Sequence, residues 1–177
     1  MISDLLDVTR TRLGETLPVE KKPMDLFEIC NQVVEEAQAF HPERTVILNT
    51  SGNLQGNWDS MRLSQLLSNL ITNAITHGSE ETPVTVSAVG EDDLVFISVH
   101  NEGQEISKTA LKRILEPLIR EENGRKESEG LGLGLGLGLY IAQNIAKAHS
   151  GSISVSSSKE PGTVFKVRLP RALKETL

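Results

Sequence analysis

The feature that most constrains this chain is a run of five consecutive Gly-Leu pairs, Gly130–Leu139, which leads directly into a segment with helical spacing of apolar residues. Ordering glycine costs more backbone entropy than ordering any other residue. A flexible linker would favour serine over leucine, and a strand would favour β-branched residues. The first N–H groups of a helix have no internal partners and attract phosphate, and glycines let an anion approach the backbone closely. The run therefore favours a phosphate-binding helix N-terminus whose leucines anchor it to the core, although one glycine-rich motif alone is a weak signal.

The composition is that of a soluble globular protein. The 177 residues suit one domain with a short appendage, and an aromatic content of 3% requires a mostly aliphatic core. No apolar run approaches the roughly 20 residues that span a bilayer, and the N-terminus lacks a signal-peptide pattern. We therefore expect a cytoplasmic protein without direct membrane contact. The net charge of −6 argues against a nucleic-acid partner, which would require clustered Lys and Arg.

Cys30 is the only cysteine, which excludes an intrachain disulfide and a cysteine metal cluster and fits a reducing compartment. It belongs to an apolar stripe with helical spacing, formed by Phe27, Cys30, Val33, Val34 and Ala37. This position favours a buried core thiol over a reactive one.

The first residues carry an apolar stripe at helical spacing that stops at Gly14 and is formed by Ile2, Leu5, Leu6, Thr9 and Leu13. An isolated helix of about 13 residues is marginal in water. The segment is therefore interpreted as the end of a longer helix that packs on a partner, or alternatively as an arm that docks on its own domain. Residues 14–23 are typical of a linker.

Helical segments alternate with pairs of strands in the rest of the chain. Helices are predicted at about 24–40, from a cap at Asp59 to His77, in a short stretch from Ser107, and at about 138–149. Hairpins are predicted within 41–58, turning at 51–53, within 83–101, turning at 91–93, and within 151–170, turning at Pro161-Gly162. Helices on one face of a largely antiparallel sheet give an α+β two-layer sandwich.

The second of these helices carries polar residues beside its apolar stripe. Asn69 and Asn73 are four residues apart on one flank, at the edge of the core, where a polar group needs a partner. One interpretation is that each amide satisfies neighbouring backbone groups. The other is that a carboxamide oxygen binds Mg²⁺, which prefers oxygen ligands and keeps most of its waters and substrate phosphates. His77, one turn further, is then either a surface histidine or a residue that borders a nucleotide.

Five segments in the right order resemble the ATP-binding catalytic domain of sensor histidine kinases, in the group that also contains gyrase, Hsp90-type and MutL-type ATPases. The resemblance rests on "QLLSNLITNAITHG" for the N box, "VHNEGQEIS" and "GLGLGLYIA" for the two glycine boxes, "LKRILEPLIR" for the F box and "GTVFKVRLP" for the closing hairpin. The N-terminal residues, "THG" and the first box look most like the kinases attached to bacterial phytochromes. The resemblance covers nearly the whole chain and implies the Bergerat (GHKL) sandwich, a mixed, mostly antiparallel sheet with three main helices on one face.

The resemblance also implies a nucleotide site. Its residues are Asn69, Asn73, His77, Asn101, Gly103, Ile106, Arg120, Gly134, Leu135, Gly136, Leu137, Gly138, Leu139 and Thr163. Asn73 matches the position that coordinates Mg²⁺, and Asn69 faces the phosphates one turn earlier. His77 matches a residue near the adenine and ribose, Arg120 a basic residue near the phosphates, and Thr163 a threonine whose hydroxyl lines the site.

The chain departs from the family pattern at several positions. Asn101 stands where most members have the aspartate that receives the adenine amino group, so its oxygen still accepts that bond but the charge is gone. Gly103 keeps the turn beside the base, whereas Glu105 replaces the second glycine of that box. Leu115 and Leu118 stand where phenylalanines are usual in the F box.

A histidine kinase transfers the γ-phosphoryl group to a histidine that has an acidic neighbour on a helix. The four histidines, His41, His77, His100 and His149, include no such pair. We therefore expect a C-terminal fragment of a longer kinase. Residues 1–22 would be the end of the dimerisation helix and a linker, 23–172 the ATP-binding catalytic domain, and 173–177 a tail.

The expected function is Mg-ATP binding and presentation of the γ-phosphate to a histidine on a separate dimerisation domain. Its implied partners are ATP or ADP, the dimerisation and phosphoacceptor domain, and a response regulator receiver domain, with the parent kinase a homodimer. The alternative is a degenerate, non-catalytic module for nucleotide binding or partner interaction. A hydrolytic ATPase would require a glutamate base on the second helix, where Ser64, Gln65 and Ser68 stand instead.

Overall fold

The structure is a computed structural model that describes residues 2–116 and 137–171. Within these residues the elements, in chain order, are α1 (Ile2–Arg12), β1 (Lys22–Asp25), α2 (Leu26–Phe40), β2 (Val46–Ser51), β3 (Gln55–Trp58), α3 (Ser60–His77), β4 (Val84–Glu91), β5 (Leu94–Asn101), α4 (Lys108–Arg113), α5 (Gly138–Ala148), β6 (Ser152–Ser157) and β7 (Thr163–Pro170). None of the helices among the described residues has the length and apolar composition that a membrane crossing requires.

The centre of the fold is a five-stranded sheet in the order β2-β4-β5-β7-β6. Only β2 and β4 are parallel, and the other neighbouring pairs are antiparallel. Alternate residues of the strands are buried, as Val95, Ile97 and Val99 are in β5. Helices α2, α3 and α5 pack side by side on this buried face, with α3 in the middle. The predicted two-layer α+β sandwich is confirmed.

Helix α3 is the element that the sequence specifies best. Its predicted apolar stripe is buried throughout and consists of Leu63, Leu66, Leu67, Leu70, Ile71 and Ala74. The Asp59 carboxylate accepts a hydrogen bond of 3.1 Å from the Arg62 N–H, and the Gly78 N–H donates to the Ala74 carbonyl. The helix therefore begins and ends where its capping residues predict.

Cys30 lies on α2 and is fully buried. Burial, together with the nearby charge of Asp25, raises the pKa of its thiol to about 12. A thiol with so high a pKa stays protonated and unreactive at neutral pH, as the apolar stripe predicts.

The predicted hairpin within 41–58 is wrong. Strand β2 pairs in parallel with β4, whereas β3 pairs antiparallel with β1, a strand that spans the end of the predicted linker and the first residues of the predicted helix. The cause lies in Trp58, which is buried and donates its indole N–H to the Pro170 carbonyl at 2.9 Å. The Asn57 N–H also donates to the Arg171 carbonyl at 2.8 Å. These contacts hold β3 at the end of β7, so it cannot fold back on β2.

Helix α1 contacts its own domain, but not through the predicted stripe, and the interpretation of this segment as the end of a longer helix stays a prediction. Leu5, Leu6 and Leu13 are 51%, 56% and 76% exposed. The opposite side is buried instead, where Val8 joins the core and the Asp7 carboxylate pairs with a guanidinium of α3. A charged contact therefore orients this helix, and its apolar stripe remains outward.

Candidate functional site

The exposed flank of α3 carries three polar residues spaced by four positions, Asn69, Asn73 and His77, which lie roughly 6 Å apart along the helix axis. Asn69 is half-buried and donates its side-chain N–H to the Gly138 carbonyl at 3.0 Å. Asn73 is also half-buried, and its carboxamide has no hydrogen-bond partner among the described residues. His77 is exposed at the end of the helix. In the part of the chain that the structure describes, no hydrogen bond therefore competes with a cation for the Asn73 carboxamide oxygen.

The N-terminus of α5 lies beside Asn69 and has no side-chain cap within residues 2–116 and 137–171. The Ile141 N–H donates to the Leu137 carbonyl at 2.9 Å, and the amides of Gly138, Leu139 and Tyr140 precede this bond. Such amides have no partner within the helix and carry partial positive charge. The first turn holds no acidic residue. The arrangement suits an anion.

Two leucines of the Gly-Leu run fall within the described residues, and both contact the core. Leu137 is 7% exposed, and the half-buried Leu139 packs against the same cluster. For these two residues, the prediction that the leucines anchor the run to the core is confirmed. Four predicted site residues, Arg120, Gly134, Leu135 and Gly136, lie outside the described residues.

A second cluster forms where β5 ends. Asn101 is 6% exposed and lies opposite Thr163 in the β5–β7 register. Its side-chain N–H donates to the Glu102 carbonyl at 3.4 Å, and its Oδ1 has no hydrogen-bond partner in residues 2–116 and 137–171. A Cβ atom on Gly78 would lie 3.0 Å from the Cβ of Asn101. The carboxamide oxygen of a largely buried residue is therefore without a competing hydrogen bond, among the described residues, at the end of this strand.

Gly103 joins the end of β5 to the end of α3. It forms an isolated antiparallel bridge with Gly78 and has a φ of 152°. A Cβ atom at this position would lie 2.9 Å from the His77 carbonyl oxygen, closer than van der Waals contact allows. Only glycine fits both the backbone angle and the space. Gly103 therefore lets the chain after β5 pass close to the end of α3.

A serine that the sequence did not single out links two of the predicted residues. The Ser157 hydroxyl accepts a 2.9 Å hydrogen bond from the Ile106 N–H and lies 2.8 Å from the Thr163 hydroxyl. Ser157 stands in a serine run of β6, where nothing in the local pattern separates it from its neighbours. Its role depends on the pairing of β6 with β7, which the sequence does not reveal residue by residue.

Comparison with known proteins places these clusters in a family. The family described as "Histidine kinase-, DNA gyrase B-, and HSP90-like ATPase" matches residues 58–173, from the end of β3 through β7. The chain belongs to this ATPase family. The match includes all of the clusters described above, and it confirms the resemblance drawn from the five ordered motifs.

Relatives of the chain include sensor histidine kinases. A bacteriophytochrome of Pseudomonas aeruginosa is 33% identical over 177 residues, which is 99% of this chain and 24% of the relative. The signal transduction histidine-protein kinase AfsQ2 of Streptomyces coelicolor is 31% identical over 171 residues, covering 97% of this chain and 30% of the relative. The chain therefore spans less than a third of the length of these two curated relatives.

Solved structures of histidine kinases share the fold. Full-length ShkA in complex with AMPPNP superposes with a TM-score of 0.78 at 27% identity and covers 96% of this chain and 35% of that one. Histidine kinase ThkA in complex with the response regulator TrrA gives a TM-score of 0.73 at 22% identity, covering 97% of this chain and 48% of that one. Both likenesses support the predicted sandwich.

Proposed function

We propose that this chain is the Mg-ATP-binding catalytic domain of a two-component sensor histidine kinase and that it presents the γ-phosphate of ATP to a histidine on a dimerisation domain. One observation carries the proposal: the 3.0 Å hydrogen bond from Asn69 to the Gly138 carbonyl. It joins the flank of α3 that carries Asn69 and Asn73 to the N-terminus of α5. A phosphate chain lying over that junction would meet the backbone amides and a carboxamide together.

The phosphates would be held by local groups, since the protein carries a net charge of −6. The amides of Gly138, Leu139 and Tyr140, which have no partner within the helix, would donate to phosphate oxygens, aided by the partial positive charge of the helix N-terminus. Arg120, Gly134, Leu135 and Gly136 are proposed as further contacts on the strength of the family motifs. ATP and ADP would share this cradle.

The residues present also fit a magnesium ion. Asn73 offers a half-buried carboxamide oxygen without a competing hydrogen bond among the described residues, and Mg²⁺ accepts one such protein oxygen with phosphates and waters as its other ligands. When bound, Mg²⁺ would neutralise charge on the phosphate groups. Asn73 would hold it, and Asn69 would keep the α5 amides in register with it.

The base would lie at the second cluster. Asn101 Oδ1 would accept a hydrogen bond from the amino group of adenine, beside the turn at Gly103, with Thr163 and Ile106 lining the site and His77 at its edge. An amide is a weaker acceptor for this purpose than a carboxylate, because a charged acceptor makes a hydrogen bond about twice as strong. Moderate rather than tight affinity for ATP is therefore expected.

Phosphotransfer would follow from positioning and charge neutralisation, with no covalent intermediate on this domain. The acceptor histidine would belong to the dimerisation domain of a homodimeric parent kinase in the cytoplasm, and the phosphoryl group would pass on to a receiver domain. The AMPPNP bound to ShkA and the response regulator bound to ThkA support these assignments by analogy.

A reconstituted phosphotransfer assay tests the proposal. The chain is incubated with labelled ATP, Mg²⁺ and a separate dimerisation domain that carries an acceptor histidine. We expect acid-labile label on the dimerisation domain, none on the chain itself, and a loss of at least about a hundredfold in the double variant Asn69→Ala/Asn73→Ala.

The matched control is Asn31→Ala/Asn144→Ala, which removes two helical asparagine side chains outside the site. Its transfer rate should equal that of the wild type. A wild-type chain that binds no ATP contradicts the proposal. Binding of ATP without transfer to any acceptor domain would favour the non-catalytic alternative, to which the departures at Asn101 and Glu105 also point.

A further inference from the structure

Arg44, in the turn between α2 and β2, is a buried cation outside the groups considered so far. It is 5% exposed. Its Nη1 donates to the Ile75 carbonyl at 2.7 Å and its Nη2 to the Ser79 carbonyl at 2.9 Å. None of the salt bridges within the described residues involves Arg44. A guanidinium that is buried without a carboxylate carries a desolvation cost that only its hydrogen bonds offset, and its Nε has no partner among the described residues.

The carbonyls that Arg44 binds lie at a helix end. The last carbonyls of α3 have no partner within the helix and carry partial negative charge, which a cation stabilises. The turn that carries Arg44 is itself fixed, because the Gln38 side chain donates to the Arg44 carbonyl and accepts from the Val46 N–H. Arg44 therefore ties the end of α3 and the residues after it to a rigid part of the fold.

The segment held by Arg44 borders the second cluster of the site. The Ser79 N–H donates to the Glu102 carbonyl at 2.6 Å, and Gly78 forms its bridge with Gly103. The side chain of Asn101 packs against Gly78 and donates to the same Glu102 carbonyl. One continuous path of contacts thus runs from the guanidinium through Ser79 to the two residues that follow Asn101.

We infer that Arg44 is a positioning residue that sets the selectivity of the site for the nucleotide base. It would hold the Gly78–Ser79 segment against Glu102 and Gly103, and so fix the direction of the Asn101 carboxamide. This inference rests on the proposed function, since it requires Asn101 to accept from the base. An amino group at the 6-position can donate to the Asn101 oxygen, whereas a 6-oxo group cannot.

The inference is tested by measuring the affinities of the whole chain for ATP and ITP, which differ in the group at the 6-position of the base. We expect the wild type to prefer Mg-ATP over Mg-ITP by about tenfold, the value of one well-placed hydrogen bond in a buried site. Arg44→Met should weaken ATP binding by about tenfold and ITP binding much less, so that the ratio approaches one. If the role of Arg44 were purely structural, the substitution would weaken the binding of both nucleotides together and leave the ratio of their affinities unchanged.

Two further variants keep the result interpretable. Arg168→Met makes the same substitution at an exposed residue of β7, and its ratio should equal that of the wild type. Arg44→Lys keeps the positive charge at the end of α3 but cannot bind both carbonyls as a fork does. It should give an intermediate ratio, and it replaces Arg44→Met if that variant does not fold.

Hydrogen exchange without nucleotide supplies an independent readout. In Arg44→Lys, exchange should quicken in residues 78–82 and 101–105 and stay at wild-type rates in β6. A wild-type ATP:ITP ratio in a folded Arg44 variant, or unchanged exchange in both segments, overturns the inference while the proposed function stands. Failure of the wild-type chain to bind ATP would instead overturn the proposed function, and base selectivity with it.

Discussion

The side-chain amide of Asn69 on α3 donates a hydrogen bond of 3.0 Å to the carbonyl of Gly138, the first residue of α5. This bond fixes the uncapped N-terminus of α5 against the asparagine flank of α3. The two helices also pack against each other in the core, but this is the contact that lies at the candidate phosphate site. A change at Asn69 should therefore affect nucleotide binding more than it affects folding.

For Asn69→Ala, we expect the affinity for Mg-ATP to fall by at least about tenfold and the free energy of unfolding to fall by only about 1 kcal/mol, the value of one hydrogen bond. Isothermal titration and urea denaturation measure the two quantities. Asn144→Ala is the matched control, because it removes an amide-to-carbonyl bond of 2.9 Å within α5 itself. Equal losses of affinity in the two variants would contradict a special role for Asn69.

We expect His149 to make the stability of the domain depend on pH. It is 2% exposed, lies 2.8 Å through Nδ1 from the Ile145 carbonyl, and accepts the Asp59 N–H at Nε2. These two contacts require the neutral ring with its proton on Nδ1. Burial, the largest cause, lowers the pKa of His149 below its ordinary value of 6.5, although the bond to Ile145 raises it.

Because the pKa is lower in the folded state, the unfolded chain takes up the proton first as the pH falls. The contribution of His149 should be fully present above about pH 6.5 and should decrease progressively below it. Urea denaturation between pH 5 and 8 measures this dependence. In His149→Gln the decrease over that window should be shallower than in the wild type, and an equally steep decrease would show that His149 is not its source.

The ion pair between Arg62 and Asp7 should hold α1 on the domain. Its distances are 2.6 Å from Nη1 to Oδ2 and 3.3 Å from Nη2 to Oδ1, and the Asp7 carboxylate is buried. The hydrogen bonds to Asp7 raise the pKa of Arg62 despite its partial burial. We expect Arg62→Met to release α1, at a cost of about 1–3 kcal/mol.

Hydrogen exchange in residues 3–12 measures this release. Rates there should rise by about tenfold or more in Arg62→Met, while those of β5 remain unchanged. Lys22→Met removes one partner of an exposed pair with Glu20, at 3.3 Å, and should leave all rates unaltered. Protection of α1 equal to that of the wild type in Arg62→Met would exclude the ion pair as its anchor.

Gly103→Ala should damage the base end of the site. Gly103 combines a positive φ with a close approach to the His77 carbonyl, whereas Gly14 has a φ of 86° and open space, with no atom within 4 Å of where a Cβ would lie. Gly14→Ala should cost about 1 kcal/mol from backbone strain alone. Gly103→Ala should cost about 2–3 kcal/mol and also weaken ATP binding. Thermal unfolding and titration with ATP compare the two variants. Equal effects of the two substitutions would argue against the steric constraint at Gly103.

The sequence was a reliable guide where local chemistry decides the outcome. Helix α3 begins after Asp59 and ends before Gly78, as predicted. Ser107 caps α4 by accepting a hydrogen bond from the Ala110 N–H, and α5 begins at Gly138, also as predicted. In these places a capping side chain or a glycine determines where a helix begins or ends only a few residues away. Four strands of the central sheet were likewise predictable as the two hairpins β4–β5 and β6–β7, since their turns carry the expected residues.

The sequence was a poor guide where distant contacts decide. The position of strand β3 is set by the burial of Trp58 against Pro170 and not by the neighbouring strand β2. The position of helix α1 is set by the ion pair between Asp7 and Arg62, 55 residues away, and its leucine stripe stays exposed. Pairings of this kind depend on three-dimensional neighbours that no local pattern encodes.

The candidate site divides in the same way. Asn69 and Asn73 stand out in the sequence because asparagine is unusual beside an apolar helical stripe, whereas Asn101 is singled out only by the resemblance to the histidine kinase family. Ser157 and Arg44 do not stand out, since their roles arise from the β6–β7 pairing and from the position of the α3 C-terminus. Supporting residues of a site are less visible in a sequence than the residues they support.

The most direct test of the central claim is the effect of Mg²⁺ on ATP affinity in the wild type, Asn73→Ala and the control Asn31→Ala. If the Asn73 oxygen holds the metal beside phosphates bound at the α5 N-terminus, Mg²⁺ should tighten ATP binding by about tenfold or more in the wild type and in Asn31→Ala. In Asn73→Ala that gain should disappear, while binding of metal-free ATP stays at the wild-type level. An undiminished Mg²⁺-dependent gain in a folded Asn73→Ala variant would contradict the claim.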